Sequence, residues 1–189
     1  MSQEQVRLAI IVASTREGRF ADTVVRWFVA QARLHDVEVD LIDLAELDLP
    51  NTLRMQPSPG VTELRSRVGA AEAFVVVTCE YNHGYPASLK FAIDSVFTEW
   101  KAKPVGFVSY GGLAGGLRAV EQLRQVFAEL HAVTVRETVS FHMAPAQFDE
   151  DGQPHQPEAV NTAVKTLMEQ LLWWAQALRT ARATTPYVG

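Results

Sequence analysis

The chain has one cysteine, no long apolar run and no excess of basic residues, and each of these absences excludes a class of protein. The lone thiol of Cys79 allows neither an internal disulfide nor a paired-cysteine metal or redox motif. No apolar run approaches the ~18 residues of a membrane span. A net charge of −5 argues against a nucleic acid backbone as the main partner. The start, MSQEQVR, lacks the apolar core of a signal peptide. We therefore expect a cytoplasmic protein that binds neither membranes nor nucleic acid.

The remaining composition is that of an ordinary globular protein, with 48% hydrophobic and 21% charged residues over 189 positions. This length predicts one domain over residues 1–189, large enough to bury a substantial core. Apolar or alternating runs predict five strands, at residues 8–13, 37–44, 74–77, 105–109 and 132–141. Helical spacing predicts five helices. The first begins after Arg19, the second spans 61–70, the third begins after Pro86, the fourth begins at Leu117 and the fifth spans 158–181. The proline-bearing stretches 50–60 and 144–157 are expected to be loops.

The alternation of strands and helices predicts an α/β fold, a doubly wound parallel sheet with helices on both faces. Two architectures compete, the flavodoxin-like strand order 2-1-3-4-5 and half of a Rossmann fold. The flavodoxin-like order places the ends of strands one and three side by side at the switch point, where such sheets bind ligands. That order would bring residues 14–19 beside residues 80–83. Because both loops are unusual in composition, we favour it.

The stretch 74–94 has the strand, loop and helix pattern of a binding edge. Residues 74–77 are a nearly continuous apolar run, and Pro86 suits the first turn of a helix. Between them lies a polar loop, which contains Glu80, Tyr81, Asn82 and His83. A mere connection needs less polar and aromatic chemistry, so we interpret this loop as a ligand-binding edge. The alternative is a turn in which Tyr81 is a partly buried anchor and His83 is a surface residue.

The loop at residues 14–19 (STREGR) is expected to bind a phosphate group. It joins a strand to a helix N-terminus, where unpaired N–H groups and the helix dipole attract anions. Arg16 and Arg19 would add charge-assisted contacts. The spacing fits neither a Walker P-loop nor the GxGxxG motif of dinucleotide sites. The alternative is a capping serine at Ser14 followed by solvated arginines.

Two further features bear on a ligand site, and the spacing of the histidines argues against a metal site. Residues 110–116 (YGGLAGG) are rich in glycine, which either lets a flat ring approach the backbone or gives a flexible turn. Cys79 is expected to be a buried or half-buried thiol, because Tyr85 stands where a cysteine-based phosphatase needs an arginine. The histidines outside the central loop show no metal-ligand spacing, so no metal site is expected.

Three motifs, taken in order, resemble the NADPH-dependent FMN reductase family, the flavodoxin-like flavoproteins that include quinone, azo and chromate reductases. They are residues 14–19, residues 80–90 (EYNHGYPASLK) and residues 109–112 (SYGG). The resemblance covers about residues 7–141, and its middle motif is quite specific. It implies that FMN binds non-covalently and that NADPH or NADH is the electron donor.

The resemblance also implies a role for each motif. The first loop would hold the FMN phosphate through Ser14, Arg16, Arg19, Phe20 and Ala21. The second would lie along the isoalloxazine ring, with Cys79, Glu80, Tyr81 and Asn82 at the flavin. The third would border the ring from the next strand through Ser109, Tyr110, Gly111 and Gly112. No residue is expected to act as a catalytic acid or base, because the cofactor carries the chemistry.

The chain departs from the family pattern at three places. Cys79 replaces the usual proline before Glu-Tyr-Asn, a change expected to act on flavin potential or loop stiffness. Phe91 replaces the usual asparagine. Phe20 and Ala21 stand where many members place a serine or an asparagine on the phosphate.

These features predict a reductase that transfers hydride from NADPH or NADH through flavin N5 to a small-molecule acceptor. The acceptor would be a quinone, an azo compound, a flavin or a metal oxyanion. Two other functions stay open. A flavodoxin-type electron carrier would bind FMN without oxidising NAD(P)H, and a phosphate-ligand module would bind no flavin.

The helix after Pro86 also predicts self-association. Four apolar residues form one stripe on it, namely Leu89, Ile93, Val96 and Trp100. Phe91 lies off that stripe, and together with Trp100 at the helix end it indicates an apolar surface that needs a cover. Family members commonly dimerise through the helices that flank the flavin. We therefore expect a homodimer or a dimer of dimers.

Overall fold

The computed structural model describes residues 5–50 and 52–188, and its centre is a five-stranded parallel sheet. The strands are β1 (Val6–Val12), β2 (Val37–Asp43), β3 (Ala73–Cys79), β4 (Pro104–Tyr110) and β5 (Val133–Phe141). The helices are α1 (Ala21–Ala32), α2 (Pro59–Ala70), α3 (Ala87–Asp94), α4 (Leu117–Glu129) and α5 (Pro157–Thr184). Two short 3-10 helices lie in the connections, at Thr98–Trp100 and Ala144–Gln147.

The strand order is β2-β1-β3-β4-β5, which confirms the predicted flavodoxin-like order. In the pairing of β1 with β3, Val12 lies opposite Val77, so Ser14 and Cys79 stand at the same level where these strands end. Cys79 in turn lies opposite Tyr110 at the end of β4. The loops after β1, β3 and β4 therefore begin side by side. We call this side of the sheet the carboxyl edge and the opposite side the amino edge.

Alternate side chains of the strands enter two separate cores, one on each face of the sheet. One core lies under α1 and α5, and the other lies under α2, α3 and α4. Every residue of β3 and β4 is buried, whereas β2 at the sheet's edge is mostly half-buried or exposed. This difference explains why β3 contains a continuous apolar run in the sequence, while β2 alternates apolar and acidic residues.

Trp100 lies inside the second core, so the expectation that it forms part of an exposed surface was wrong. Trp100 is only 1% exposed. Its ring packs edge-on against the rings of Phe74 and Phe127, at centroid distances of 4.8 and 5.4 Å. The indole Nε1 donates to Val96 O at 2.9 Å. The reason is that α3 ends at Asp94, and the following 3-10 helix turns the indole back into the core.

Both predicted proline-bearing loops contain helical residues. Pro59 and Gly60 belong to the first turn of α2, because Ser58 caps this helix by accepting from the N–H of Val61 at 3.3 Å. Residue 51 of the same predicted loop lies outside the described residues. The 3-10 helix Ala144–Gln147 opens the second loop.

Two properties of residues 5–50 and 52–188 bear on the class of protein. Every helix there is too short or too polar to pass through a lipid bilayer. Among the same residues, no group of three or more His, Cys, Asp or Glu side chains is arranged to hold a metal ion.

Candidate functional site

A cavity of about 430 Å³, the central cavity, opens at the carboxyl edge where the loops after β1, β3 and β4 meet. Ten of the thirteen residues predicted for a ligand site line it. They are Ser14, Arg16, Arg19, Phe20, Cys79, Glu80, Tyr81, Tyr110, Gly111 and Gly112. A larger groove of about 520 Å³ lies nearby, but its wall contains no charged residue. The central cavity, with charge and aromatic rings together, is the better candidate for a polar ligand.

The other three predicted residues lie next to the central cavity without lining it. Ala21 is fully buried as the first residue of α1. Ser109 is fully buried as well, and its hydroxyl donates to Gly115 O at 2.8 Å, so it holds the glycine-rich loop in place. Asn82 is exposed in a turn.

The wall of the cavity also includes Met143, Ala144 and Pro145, which the sequence reasoning missed. The N–H groups of Met143 and Ala144 donate to Gly112 O at 2.9 Å and to Gly111 O at 3.0 Å. These bonds tie the segment after β5 to the glycine-rich loop after β4. In the sequence this segment resembles a plain loop, and its only signal is that β5 ends at the carboxyl edge.

The two arginines of the first loop differ in their contacts. The Arg19 guanidinium is held by carboxylates, with Nε 2.8 Å from Asp22 Oδ1 and Nη1 2.8 Å from Asp43 Oδ1. Hydrogen bonding to Asp43 raises the pKa of Arg19 above its ordinary value. The Arg16 side chain is exposed and has no hydrogen-bond or ion-pair partner within the described residues. Arg19 thus braces the loop, and Arg16 is the cation that remains available to a ligand.

The first turn of α1 is open to an anion. No side chain caps this helix at Phe20, so its first N–H groups lack a side-chain acceptor. Gly18 precedes the turn at φ +62°, a left-handed conformation that glycine adopts without strain. Free N–H groups and the helix dipole together favour negative charge at this position.

Hydroxyl and thiol groups from three loops meet at the cavity. Ser14 Oγ lies 2.9 Å from the Tyr81 hydroxyl. Burial raises the pKa of Tyr81, and a hydrogen bond with the Cys79 thiol raises it as well. Burial also raises the pKa of Tyr110, with Cys79 adding to the effect. Both phenols are therefore neutral at neutral pH, and Cys79 is the buried free thiol that the sequence predicted.

Glu80 presents one unpaired oxygen. Its Oε1 lies 3.2 Å from Arg118 Nη1, and its side chain is only 11% exposed. Its Oε2 is buried and has no hydrogen-bond partner within residues 5–50 and 52–188. An unpaired buried carboxylate oxygen is unfavourable unless a donor reaches it. In the wall of a cavity, that donor can be an N–H group of a ligand.

Residues 81–84 form a tight turn with two backbone hydrogen bonds, the 81–84 hairpin. The Tyr81 N–H donates to Gly84 O at 2.9 Å, and the Gly84 N–H donates to Tyr81 O at 3.1 Å. The two turn residues, Asn82 at φ +50° and His83 at φ +74°, are both left-handed. This is type I′ geometry, which favours asparagine and glycine. His83 is neither, so its backbone is strained beside the candidate site.

The strand order defines a flavodoxin-like α/β protein, and the cavity at its switch point is the candidate ligand site. A solved structure of FerB, a flavoenzyme NAD(P)H:(acceptor) oxidoreductase from Paracoccus denitrificans, superposes with a TM-score of 0.74. The match covers 90% of this chain and 98% of FerB at 20% sequence identity. At this identity the likeness concerns the fold alone.

Sequence comparison identifies the family within that fold. The model of the NADPH-dependent FMN reductase family matches residues 6–146, and the chain belongs to that family. An NAD(P)H-dependent FMN reductase of Schizosaccharomyces pombe is 33% identical over 133 residues, which are 64% of each chain. A probable NADPH:quinone oxidoreductase of Oryza sativa is 28% identical over 94% of this chain and 93% of its own. The chain is therefore an enzyme of an oxidoreductase family that uses NAD(P)H and FMN, as the sequence predicted.

Proposed function

We propose that the central cavity binds FMN, with the phosphate at Arg16 and the ring between the 81–84 hairpin and the glycine-rich loop. The polarity of the cavity supports this arrangement. Among the described residues, its wall contains one cation without a partner, Arg16, and one carboxylate oxygen without a donor, Glu80 Oε2. FMN has a phosphate dianion and a ring N–H, which are the two groups that these side chains would complement.

At the phosphate end, Arg16 and the open first turn of α1 would share the negative charge. The Ser14 hydroxyl lies in the same wall and can donate to a phosphate oxygen. Arg19 would contribute indirectly and would not contact the phosphate, because its guanidinium already pairs with Asp22 and Asp43. Its part is to keep the loop in shape.

At the ring end, Glu80 Oε2 would accept the hydrogen bond of the ring N–H. Gly112 borders open space that a flat ring could occupy, since a Cβ built on it meets no atom within 4 Å. A Cβ on Gly111 would instead meet Gly116 N at 3.1 Å, so glycine at this position allows the loop to fold back on itself. Tyr81 and Tyr110 are neutral, and they line the cavity with hydrogen-bonding hydroxyls that carry no charge. These contacts fix the orientation of the ring and exclude water from one of its faces.

When bound, FMN would supply the redox chemistry, taking hydride at N5 from NADPH or NADH and reducing a quinone, azo, flavin or metal-oxyanion acceptor. The chain's own residues bind and orient, and none is assigned as an acid or base. The cavity opens to solvent beside exposed Gly112 and Met143, which leaves space for the nicotinamide and the acceptor to reach the ring.

A visible absorption spectrum of the purified protein, incubated with FMN and freed of excess, tests the proposal. We expect a yellow protein that bleaches rapidly when NADPH or NADH is added without oxygen. A colourless protein that takes up no FMN contradicts the proposal. A yellow protein that both nucleotides leave unchanged would instead support a flavodoxin-type electron carrier.

The proposal includes a homodimer, or a dimer of dimers, built on an apolar face beside the first loop. The groove of about 520 Å³ on this face has an apolar wall, with Leu44, Leu47, Leu49, Ala87 and Phe91. A neighbouring groove shares Phe91 and includes Leu53 and Met55, which are both exposed. Exposed apolar side chains such as Leu53 and Met55 beside an apolar groove are a feature of surfaces that contact another protein. Light scattering that gives the mass of a monomer at micromolar concentration would contradict this assembly.

We also propose that residues 1–189 act as one flavin-binding domain in the cytoplasm. The reducing conditions of that compartment suit a free thiol beside a redox site, as found at Cys79. Cell fractionation with an antibody against the chain tests the location, and recovery outside the cytoplasmic fraction would contradict it.

A further inference from the structure

Two side chains of α4, Arg118 and Gln122, hold the 81–84 hairpin from outside. Gln122 Nε2 donates to His83 O at 2.9 Å, and Arg118 Nη1 lies 2.8 Å from His83 Nδ1. A guanidinium has only donors, so Nδ1 accepts and the neutral ring carries its proton on Nε2. Both contacts converge on His83, the turn residue whose backbone is left-handed without being glycine or asparagine. The helix therefore supports the hairpin where its geometry is least favourable.

Arg118 also connects the hairpin to Glu80. The same Nη1 lies 3.2 Å from Glu80 Oε1, and this is the ion pair that balances the nearly buried carboxylate. The Arg118 side chain is 40% exposed, but its removal would leave the nearly buried Glu80 carboxylate without its counter-charge, which is unfavourable. One guanidinium thus contacts a residue on each side of Tyr81, an aromatic residue in the cavity wall.

We propose that Arg118 and Gln122 are positioning residues, which hold the 81–84 hairpin and the Glu80 carboxylate in the geometry that receives the flavin ring. This inference rests on the proposed function, because it requires the ring to bind beside Glu80. Neither side chain lines the central cavity, so both act through the hairpin and not by touching the ligand. A hairpin ordered before the ligand arrives lowers the entropy lost on binding.

The inference predicts a loss of flavin affinity that does not depend on the phosphate group of the ligand. Arg118→Ala should weaken the binding of FMN and of riboflavin to the same extent, by about tenfold or more, the value of a charge-assisted hydrogen bond. Arg118→Lys keeps a cation beside Glu80 but lacks the planar guanidinium, whose Nη1 contacts both Glu80 and His83. It should therefore recover part of the affinity for both flavins. A loss confined to FMN would overturn the inference, since it would place Arg118 at the phosphate.

Arg124 provides the matched control, because it is a second arginine of α4 whose guanidinium contacts a different part of the chain. It donates to Val135 O at 2.6 Å and to Arg136 O at 2.9 Å, so its contacts lead to β5 and not to the hairpin. Arg124→Ala should lower the melting temperature and leave both flavin affinities at the wild-type value. Equal flavin losses in Arg124→Ala and Arg118→Ala would reduce the role of Arg118 to general stability and overturn the inference.

His83→Gly separates positioning from damage to the fold. Glycine adopts φ +74° without strain and has no side chain for Arg118 to hold. The loss caused by Arg118→Ala should therefore be at least threefold smaller in the His83→Gly background than in the wild type, a coupling that a double-mutant cycle measures. Equal losses in the two backgrounds would overturn the role of the hairpin.

Titration of apo protein with both flavins, followed by flavin fluorescence, gives all of these affinities. The wild-type titration distinguishes the two levels of the argument. A wild type that binds neither flavin overturns the proposed function and this inference with it. A wild type that binds both, with unchanged affinities in Arg118→Ala and Gln122→Ala, overturns this inference alone.

Discussion

The two edges of the sheet differ in how completely their polar groups are paired. At the amino edge, Lys103 is buried just before β4, and its Nζ donates to Val68 O and Gly69 O, each at 3.0 Å. Glu72, just before β3, lies 3.3 Å from Arg179 Nη1 on α5. These contacts satisfy the end of α2 and join the last helix to the sheet.

At the carboxyl edge, the Arg16 guanidinium and one oxygen of the Glu80 carboxylate, Oε2, have no partner among the described residues. A buried oxygen such as Glu80 Oε2 is rarely left without a donor in a folded protein. We therefore expect the amino edge to contribute stability and the carboxyl edge to contribute binding. Substitutions at the amino edge should therefore change stability and leave flavin affinity unaltered. Substitutions at the carboxyl edge should change flavin affinity and leave stability unaltered.

The largest effect on stability is expected from the titration of Lys103. Burial lowers the pKa of Lys103 from 10.5 to about 8. Between these values the unfolded chain binds more protons than the folded one, so the free energy of unfolding should rise with pH over this window. A pKa difference of this size corresponds to roughly 3 kcal/mol in the free energy of unfolding.

Lys103→Met removes the titrating group while keeping an apolar side chain of similar length. Chemical denaturation at several pH values between 8 and 10.5 should show a shallower rise for this variant than for the wild type. Its affinity for FMN at pH 7 should stay at the wild-type value, because the change lies at the amino edge. Identical pH slopes for the two proteins would contradict the assignment to Lys103.

A smaller loss of stability is expected for Glu72→Ala. The change removes the acceptor of the Arg7 N–H, at 3.1 Å, and the ion-pair partner of Arg179. The free energy of unfolding should fall by about 1–3 kcal/mol, the cost of leaving such groups unsatisfied. Glu38 on β2 is exposed and serves as the control, with an expected change within about 0.5 kcal/mol for Glu38→Ala. A loss of FMN affinity in Glu72→Ala would break the division between the edges.

The smallest effect is expected for Cys79→Ser at the carboxyl edge. Serine is of similar size and can also hydrogen-bond to the hydroxyl groups of Tyr81 and Tyr110. NADPH oxidation by the flavin-loaded variant should stay within a few-fold of the wild-type rate in a stopped-flow assay. Complete loss of turnover in a folded, flavin-loaded variant would mean that the thiol itself takes part in the redox reaction.

The fold could be predicted because its signals are local. The apolar run at residues 74–77 predicted a strand buried on both faces, and the alternation at residues 37–44 predicted an exposed edge strand. The strand order then followed from the requirement that two unusual loops meet at one edge. Trp100 was misjudged because helical spacing was extended past Asp94, where the helix ends.

The residues of the candidate site could be named from the sequence, but the hydrogen bonds and ion pairs between them could not. The side chains of residues 14–19 and 80–83 indicated, from the sequence alone, a phosphate-binding loop and a ligand-binding edge. Nothing local reveals that Asp43, 24 residues away, neutralises Arg19 and leaves Arg16 as the available cation. Arg118 pairs with Glu80 across a still longer separation in the chain. Such pairings depend on how separate elements pack together, which a single sequence does not display.

The affinities of FMN and riboflavin for wild-type protein and Arg16→Ala test the central claim most directly. A hydrogen bond to a charged group contributes ~1.5–3 kcal/mol, so Arg16→Ala should weaken FMN binding by roughly 10- to 150-fold. Riboflavin has the same ring without the phosphate, and its affinity should barely change. Equal losses for the two flavins, or no loss for FMN, would contradict the placement of the phosphate at Arg16.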